Sequence, residues 1–220
     1  MQFDTKTIAI LRNFSSINPS VIFKPGNVIS TISPSRSILA KATIPVEIES
    51  EFAIYDLSQF LGALSMFDTP DLTVTDTAMQ IRKGGEKINY RFASPSLILS
   101  PPEKEVNIPA PEITFDLKEE VLTRTLRALS VIGCPELAVT GEDGIIYLEA
   151  INIKNDAAST YRVEVGTTTA KFRQVFLAEN IKLIPCDYRV NISSRGIANF
   201  AGADVQYWIS TESSSTYSDS

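Results

Sequence analysis

The chain has 220 residues, of which 44% are hydrophobic and 21% charged, so it can build one large domain or two small ones. Its net charge of −6 argues against a protein that grips nucleic acid with its whole surface. It has no histidine, which excludes His-based triads and His metal ligands, and its two cysteines cannot build a zinc site without carboxylates. We expect no metal and no cofactor.

The start of the chain mixes charged and apolar positions, which does not fit a signal peptide. No apolar run approaches 18 residues, so we expect no membrane span. Two cysteines placed 52 residues apart favour a reducing compartment. The expected location is therefore the cytoplasm.

The first predicted element is a helix. Asp4 can accept an orphan backbone N–H at its start, and Lys6 and Arg12 lie outside its apolar stripe. The stripe consists of Ile8, Leu11 and Phe14. Pro19 follows the helix and precedes a strand-like run, and residues 24–27 predict a hairpin turn.

An internal repeat organises the rest of the chain. Residues 63–75 align without a gap with residues 128–140, and seven of thirteen positions are identical. Each copy reads as a helix, a proline and a strand, and two fainter copies surround Pro19 and Pro185. The second helix, capped by Asp56, has a neutral polar face. The sequence therefore predicts four units of one helix and about three strands, with turns such as 141–144 and 194–196 between strands.

Proline content marks the domain boundary. Residues 94–111 carry five of the twelve prolines in eighteen residues and have no periodicity, which is typical of an extended connector. The connector separates an N-terminal domain, 1–93, from a C-terminal domain, 112–211. Residues 212–220 are Ser-rich and poor in apolar side chains, so we predict a disordered tail.

The third predicted helix follows Asp116, a candidate N-cap, and starts at Lys118. Arg124 and Arg127 are three residues apart and share a face away from the apolar positions. The apolar positions are Leu122, Leu126 and Leu129. A fourth, shorter helix is predicted after Phe176 and ends at Lys182.

The cations on these helices allow two interpretations. Exposed lysines and arginines are usual, so each of them can be an ordinary solvated residue. Alternatively, the outer faces of several helices form one basic surface on an acidic protein and meet phosphates without reading sequence. The candidate DNA-facing residues are Lys6, Arg12, Lys118, Arg124, Arg127 and Lys182.

With these elements in place, the chain resembles the DNA polymerase sliding clamps, and most of all the trimeric clamps of T-even-type tailed bacteriophages. The resemblance spans nearly the whole chain. The segments that carry it are Asp4-Thr5 with Ala9, Leu11-Arg12-Asn13-Phe14, Ile17-Asn18, Ala53-Ile54-Tyr55-Asp56-Leu57, Phe60-Leu61-Gly62 and Arg124-x-x-Arg127.

The resemblance implies an α+β DNA clamp fold. Two similar domains, each of two helix-plus-three-or-four-strand units, place helices on the inner face of a ring and antiparallel sheets outside. It also implies a non-enzymatic homotrimer that encircles duplex DNA, is opened by a clamp loader ATPase complex, and tethers the phage DNA polymerase through a short C-terminal peptide. The phage clamps are linked to late transcription as well, so late-transcription factors are further candidate partners.

A partner-peptide site is expected near the end of the chain. In a strand, Val205, Tyr207 and Ile209 alternate with Trp208, which then lies outside the core. Trp208 with Leu97 and Leu99 of the connector can form the wall of a groove, as aromatic side chains often anchor partners. The other interpretation is that Trp208 packs under the connector or at a subunit edge.

Two functions of other classes compete with the clamp. A structural, β-rich virion or tail protein would also contain repeats and acidic character, but it does not predict cations on helix faces. A carbohydrate-active enzyme could use paired acids, for which Glu47, Glu49 and Glu51 alternate along a strand. Such an enzyme would also need an aromatic-lined cleft, and the single tryptophan lies near the C-terminus.

Overall fold

The protein is described by a computed structural model that covers residues 1–104, 106–108 and 110–218. Its contacts divide the chain into two compact units, Met1–Glu103 and Lys104–Ser220. The division falls inside the predicted connector, which is not extended throughout because it contains a short 3-10 helix at Pro95–Leu97. Within the described ranges, no helix has both the length and the apolar content that crossing a membrane requires.

The first unit has two α-helices and seven strands, besides the 3-10 helix at Pro95–Leu97. In chain order they are α1 (Thr5–Ile17), β1 (Val21–Phe23), β2 (Gly26–Ile32), β3 (Ile38–Ile48), β4 (Phe52–Ile54), α2 (Leu57–Ser65), β5 (Asp71–Val74), β6 (Ala78–Lys83) and β7 (Glu86–Arg91). All pairing within the unit is antiparallel: β1 pairs with β4, β2 with β3, and β5, β6 and β7 form a three-stranded sheet.

Both helices of the first unit start where the sequence predicts. The Asp4 carboxylate accepts a hydrogen bond from the Thr7 N–H at 2.7 Å, and the Asp56 carboxylate accepts one from the Gln59 N–H at 2.8 Å. Each bond satisfies a backbone donor that has no partner inside its helix. The two predicted N-caps are confirmed.

Phenylalanines stack through the core of the first unit. The Phe23 ring lies 4.6 Å from Phe52 and 6.1 Å from Phe3, and Phe52 lies 5.0 Å from Phe92, measured between ring centroids. Phe23 is fully buried. The stack joins the residue before the N-cap of α1, the β1–β4 pair and the residue after β7, so it connects segments that are far apart in sequence.

Within its described residues, the second unit has one α-helix and nine strands. In chain order they are β8 (Ile113–Leu117), α3 (Glu119–Ile132), β9 (Glu136–Glu142), β10 (Ile145–Ile151), β11 (Tyr161–Thr167), β12 (Lys171–Leu177), β13 (Tyr188–Ser193), β14 (Ile197–Ala201), β15 (Val205–Ser210) and β16 (Thr216–Ser218). One antiparallel sheet has the order β11-β10-β9-β12-β16, and the other strands are neighbours in the order β15-β14-β13-β8.

The predicted turns at 141–144 and 194–196 are confirmed. They join β9 to β10 and β13 to β14, with Gly144 and Gly196 at φ 84° and 94°. The hairpin predicted at 24–27 is wrong. Strand β1 pairs with β4, and β2 pairs with β3. The segment at 24–27 therefore connects strands of two different pairs and does not close a hairpin.

The predicted fourth helix is wrong. Phe176 belongs to strand β12, and only a 3-10 turn at Ala178–Asn180 follows it. Too few residues remain before Pro185 for a stable helix, since the proline also disfavours helical backbone at the residue before it. Ile181 and Leu183 are buried at alternate positions, as an extended segment requires.

The predicted disorder of residues 212–220 is wrong for 212–218, and residues 219 and 220 lie outside the described part. Strand β16 pairs with the first half of β12, and the rings of Tyr217 and Phe172 stack at 6.3 Å. The Glu212 N–H also donates to the Val175 carbonyl at 2.7 Å. Backbone pairing and one aromatic contact order a segment whose composition alone argues for disorder.

Candidate nucleic-acid interface

Helix α1 exposes both of its cations. Its buried side chains are Thr7, Ile10, Leu11, Phe14 and Ile17. Arg12 points away from this buried face, while Lys6 lies on its flank, because six residues at about 100° each place the two about 120° apart. The helix therefore presents cations on two adjoining sides.

Helix α3 presents the clearest basic face. Leu122, Thr125 and Leu129 are buried, whereas Arg124 and Arg127 are exposed on the opposite side. Leu126, predicted to be buried, is only half-buried. Among the residues that the structure describes, neither arginine has a carboxylate within ion-pair distance. Both guanidinium groups are thus available to an external anion.

The start of α3 is built differently from the prediction. Asp116 does not cap the helix, because it occupies an outward position of β8 and forms an ion pair with Arg189 at 3.1 Å. Asp187 replaces it: its carboxylate accepts from the Glu119 N–H at 2.9 Å and from Lys118 Nζ at 2.7 Å. The hydrogen bond to Lys118 lowers the pKa of Asp187, and Asp187 raises the pKa of Lys118.

Acidic groups surround the first turn of α3. Glu119 and Glu120 occupy that turn, where they stabilise the helix dipole, and together with Asp187 they line the same shallow depression as the cations. The cations of this depression are Lys118, Arg124 and Arg127. Positive charge therefore increases along α3 from its first turn, and the surface as a whole is mixed.

The remaining helical positions contribute little charge. Helix α2 exposes Ser58, Gln59 and Ser65 and contains no charged residue, as predicted. Lys182 is half-buried after the 3-10 turn, where its N–H donates to the Asn180 carbonyl. The prediction that Lys182 ends a helix is wrong, so its assignment to a basic helix face loses its basis.

The predicted partner-peptide residues are described in two separate units. In the second unit, Val205, Tyr207 and Ile209 are buried and Trp208 lies half-buried on the other face of β15. In the first unit, Leu97 and Leu99 are 68% and 37% exposed and flank the buried Ile98. The predicted alternation along β15 is therefore confirmed, and both leucines are accessible within their unit.

Two solved structures have the same fold. PCNA from Thermococcus kodakaraensis matches with a TM-score of 0.71 at 15% identity, over 96% of this chain and 99% of that one. PCNA from A. fulgidus, solved with the C-terminal region of FEN-1, matches with a TM-score of 0.68 at 13% identity, over 93% and 94% of the two chains. The protein thus has the α+β DNA clamp fold, as predicted.

Sequence comparison identifies the family. Residues 4–99 match the model of the DNA polymerase processivity factors, and residues 114–213 match the model of the C-terminal part of the gp45 sliding clamp. The sliding clamp of Vibrio phage KVP40 is 31% identical over 220 residues, covering 96% of this chain and 99% of that protein. The clamp of Escherichia phage RB69 is 30% identical and covers 99% of both.

The chain therefore belongs to the phage sliding clamps, the processivity factors of DNA polymerase. Members of this family are not enzymes, so the prediction of a non-catalytic protein is confirmed. The family assignment decides against both competing hypotheses, the structural virion protein and the carbohydrate-active enzyme. The sequence missed Asp187 because the carboxylate and the helix that it caps are 68 residues apart.

Proposed function

We propose that three copies of the chain form a ring around duplex DNA, with α1, α2 and α3 towards the DNA. Lys6, Arg12, Lys118, Arg124 and Arg127 would contact phosphates. The observation that carries the proposal is the position of Arg124 and Arg127, exposed and opposite the buried face of α3. In this proposal a clamp loader ATPase opens the ring in the host cytoplasm, and the phage DNA polymerase is tethered to it.

Weak contact with DNA suits such a ring. A closed ring keeps its DNA by topology, so tight binding is unnecessary and would hinder sliding. Lys118 forms an ion pair with Asp187, and Glu119 and Glu120 lie beside it. Few unpaired cations on this surface are therefore left to attract phosphates strongly. The net charge of −6 disfavours binding of DNA elsewhere on the surface.

Assembly is tested by the native mass. Light scattering over a concentration series should give 3 × 24.2 = 72.6 kDa, falling towards the mass of one chain on dilution if the ring dissociates. A mass of 24.2 kDa at every concentration would contradict the ring.

The DNA-facing assignment is tested by charge reversal. Arg124→Glu with Arg127→Glu should reduce long products on primed circular DNA, with polymerase and loader present, by at least about tenfold, because two phosphate contacts per subunit become repulsive. Lys154→Glu with Arg195→Glu is the matched control, since both residues are exposed outside the helices and the charge change is the same. Equal losses in the two double variants would contradict the assignment.

The partner-peptide assignment is tested separately. Trp208→Ala, and Leu97→Ser with Leu99→Ser, should each weaken binding of the polymerase C-terminal peptide without changing the native mass. Loss of an interface aromatic residue typically weakens binding by about 2 kcal/mol, or about thirtyfold. Unchanged peptide affinity in both variants would leave Trp208 as a packing residue only.

A further inference from the structure

The C-terminal segment covers the edge of a sheet. Strand β16 pairs with β12 in antiparallel register, and beyond this ladder the Ser215 hydroxyl accepts from the Val175 N–H at 3.0 Å. The Gln174 side-chain amide donates to the Thr216 carbonyl at 3.0 Å. Backbone groups of β12 that an uncovered edge would present to other chains are thereby satisfied.

The covering strand matches this edge incompletely. Arg173 lies opposite Thr216 and Lys171 opposite Ser218, so two exposed cations face two neutral hydroxyl residues. In the described part of the chain, neither cation is in a salt bridge. The Oε1 atom of Gln174, a residue only 1% exposed, likewise has no hydrogen-bond partner there.

We propose that the β12 edge is a docking site for an acidic, extended peptide, and that residues 212–218 form a removable cover over it. The incoming strand would add antiparallel to β12, as in β-strand addition. It would carry an aromatic residue in the place of Tyr217, against Phe172, and carboxylates in the places of Thr216 and Ser218.

Charge complementarity selects this occupant. Opposite charges at directly paired positions of an antiparallel ladder stabilise the pairing, and a carboxylate opposite Arg173 and another opposite Lys171 would use both cations. The aromatic residue between them keeps the stack on the Phe172 ring. The cover has two advantages over this occupant: the hydrogen bond from the Glu212 N–H to the Val175 carbonyl, and its attachment, which raises its effective concentration at the edge.

The cover can be released by one substitution. Tyr217→Pro removes the ring that stacks on Phe172, and its pyrrolidine fixes φ at the centre of a three-residue strand away from the usual β value. Ser213→Pro is the matched control. It places the same residue at the second position of the turn closed by the Ser215 N–H and the Glu212 carbonyl, where proline is favoured.

The probe is the fluorescein-labelled peptide Ser-Ser-Glu-Tyr-Glu. It copies residues 214–218, with glutamates in the places of Thr216 and Ser218, which lie opposite the two cations. Fluorescence anisotropy with the full chain should give at least about tenfold tighter binding to Tyr217→Pro than to the unchanged chain or to Ser213→Pro. Arg173→Glu in the Tyr217→Pro background should abolish binding, and lysines in place of the glutamates should do the same.

Equal binding to all three chains, or no binding to Tyr217→Pro, would overturn the proposal. So would equally tight binding of the unaltered copy, Ser-Ser-Thr-Tyr-Ser, because the occupant would then be the tail of a second copy of this chain. Should Tyr217→Pro fail to fold, as judged by circular dichroism, Tyr217→Ser removes the ring alone, and the same outcomes decide.

Discussion

Gly141→Ala should destabilise the second unit strongly, because the ring of Phe172 lies directly over this glycine on the neighbouring strand. An added Cβ would lie 2.7 Å from Phe172 Cδ1 and 2.8 Å from the Ala170 carbonyl oxygen. The ring can rotate away only by leaving its stack on Tyr217, and the carbonyl is part of the backbone. Overpacking of this kind costs about 1–3 kcal/mol and loss of the ring pair about 1 kcal/mol, so we expect a free energy of unfolding lower by about 2–4 kcal/mol.

Denaturation in urea, followed by fluorescence, measures this change in the appropriate unit, because Trp208 is the single tryptophan and lies on β15. Gly166→Ala on β11 is the matched control. Its Cβ would have Phe115 Cβ at 3.3 Å as the nearest atom, so we expect less than about 1 kcal/mol. An unchanged midpoint for Gly141→Ala, or equal shifts for both variants, would refute the reasoning.

Two further predictions concern titratable groups. Asp4→Ala should lower stability at neutral pH by about 1 kcal/mol, the usual effect of losing an N-cap, measured by urea denaturation followed by circular dichroism. Hydrogen bonds from Thr7 lower the pKa of Asp4. The carboxylate therefore stabilises the folded state above about pH 4, and this stabilisation is lost as the pH falls through the folded-state pKa. An equal loss of stability in Asp4→Ala at pH 2 and at pH 7 would contradict this. Burial raises the pKa of Tyr188 and of Tyr207 well above the usual range. At about pH 11 the native protein should therefore have a lower tyrosinate absorbance at 295 nm than its seven tyrosines give after unfolding. Because the unfolded chain releases these protons first, stability should fall as the pH rises above about 10, and full ionisation of all seven in the native state would contradict the burial.

Features that depend on a few neighbouring residues were predictable from the sequence. Asp4 and Asp56 cap helices through bonds to backbone groups three residues away, so the sequence contains the whole interaction. The same holds for the turns at 141–144 and 194–196 and for the alternation along β15. The internal repeat also predicted structure at a distance, because the helix, proline and strand of one copy could be recognised again in a second copy further along the chain.

Features that depend on distant partners were not predictable in this way. Asp116 is a residue type that often caps helices, but it lies in β8 and forms an ion pair with Arg189 on the neighbouring strand. Asp187 caps the helix instead. The segment after Ser210 contains almost no apolar residue, yet the Val175 N–H and the Gln174 side-chain amide of β12 give it partners about 40 residues away. In both places, strand pairing overrides a local signal.

The charged residues of α3 have two different roles, stabilising the helix at its N-terminus and offering cations to phosphates further along. Stability favours carboxylates at the helix N-terminus, and Glu119, Glu120 and Asp187 are all there. Contact with phosphates requires cations free of internal partners, and Arg124 and Arg127 lie one and two turns further on, facing outward. Under the proposed function, acids at the start of the helix also limit its attraction for DNA, so the arrangement that stabilises the helix helps to keep the contact weak enough for sliding.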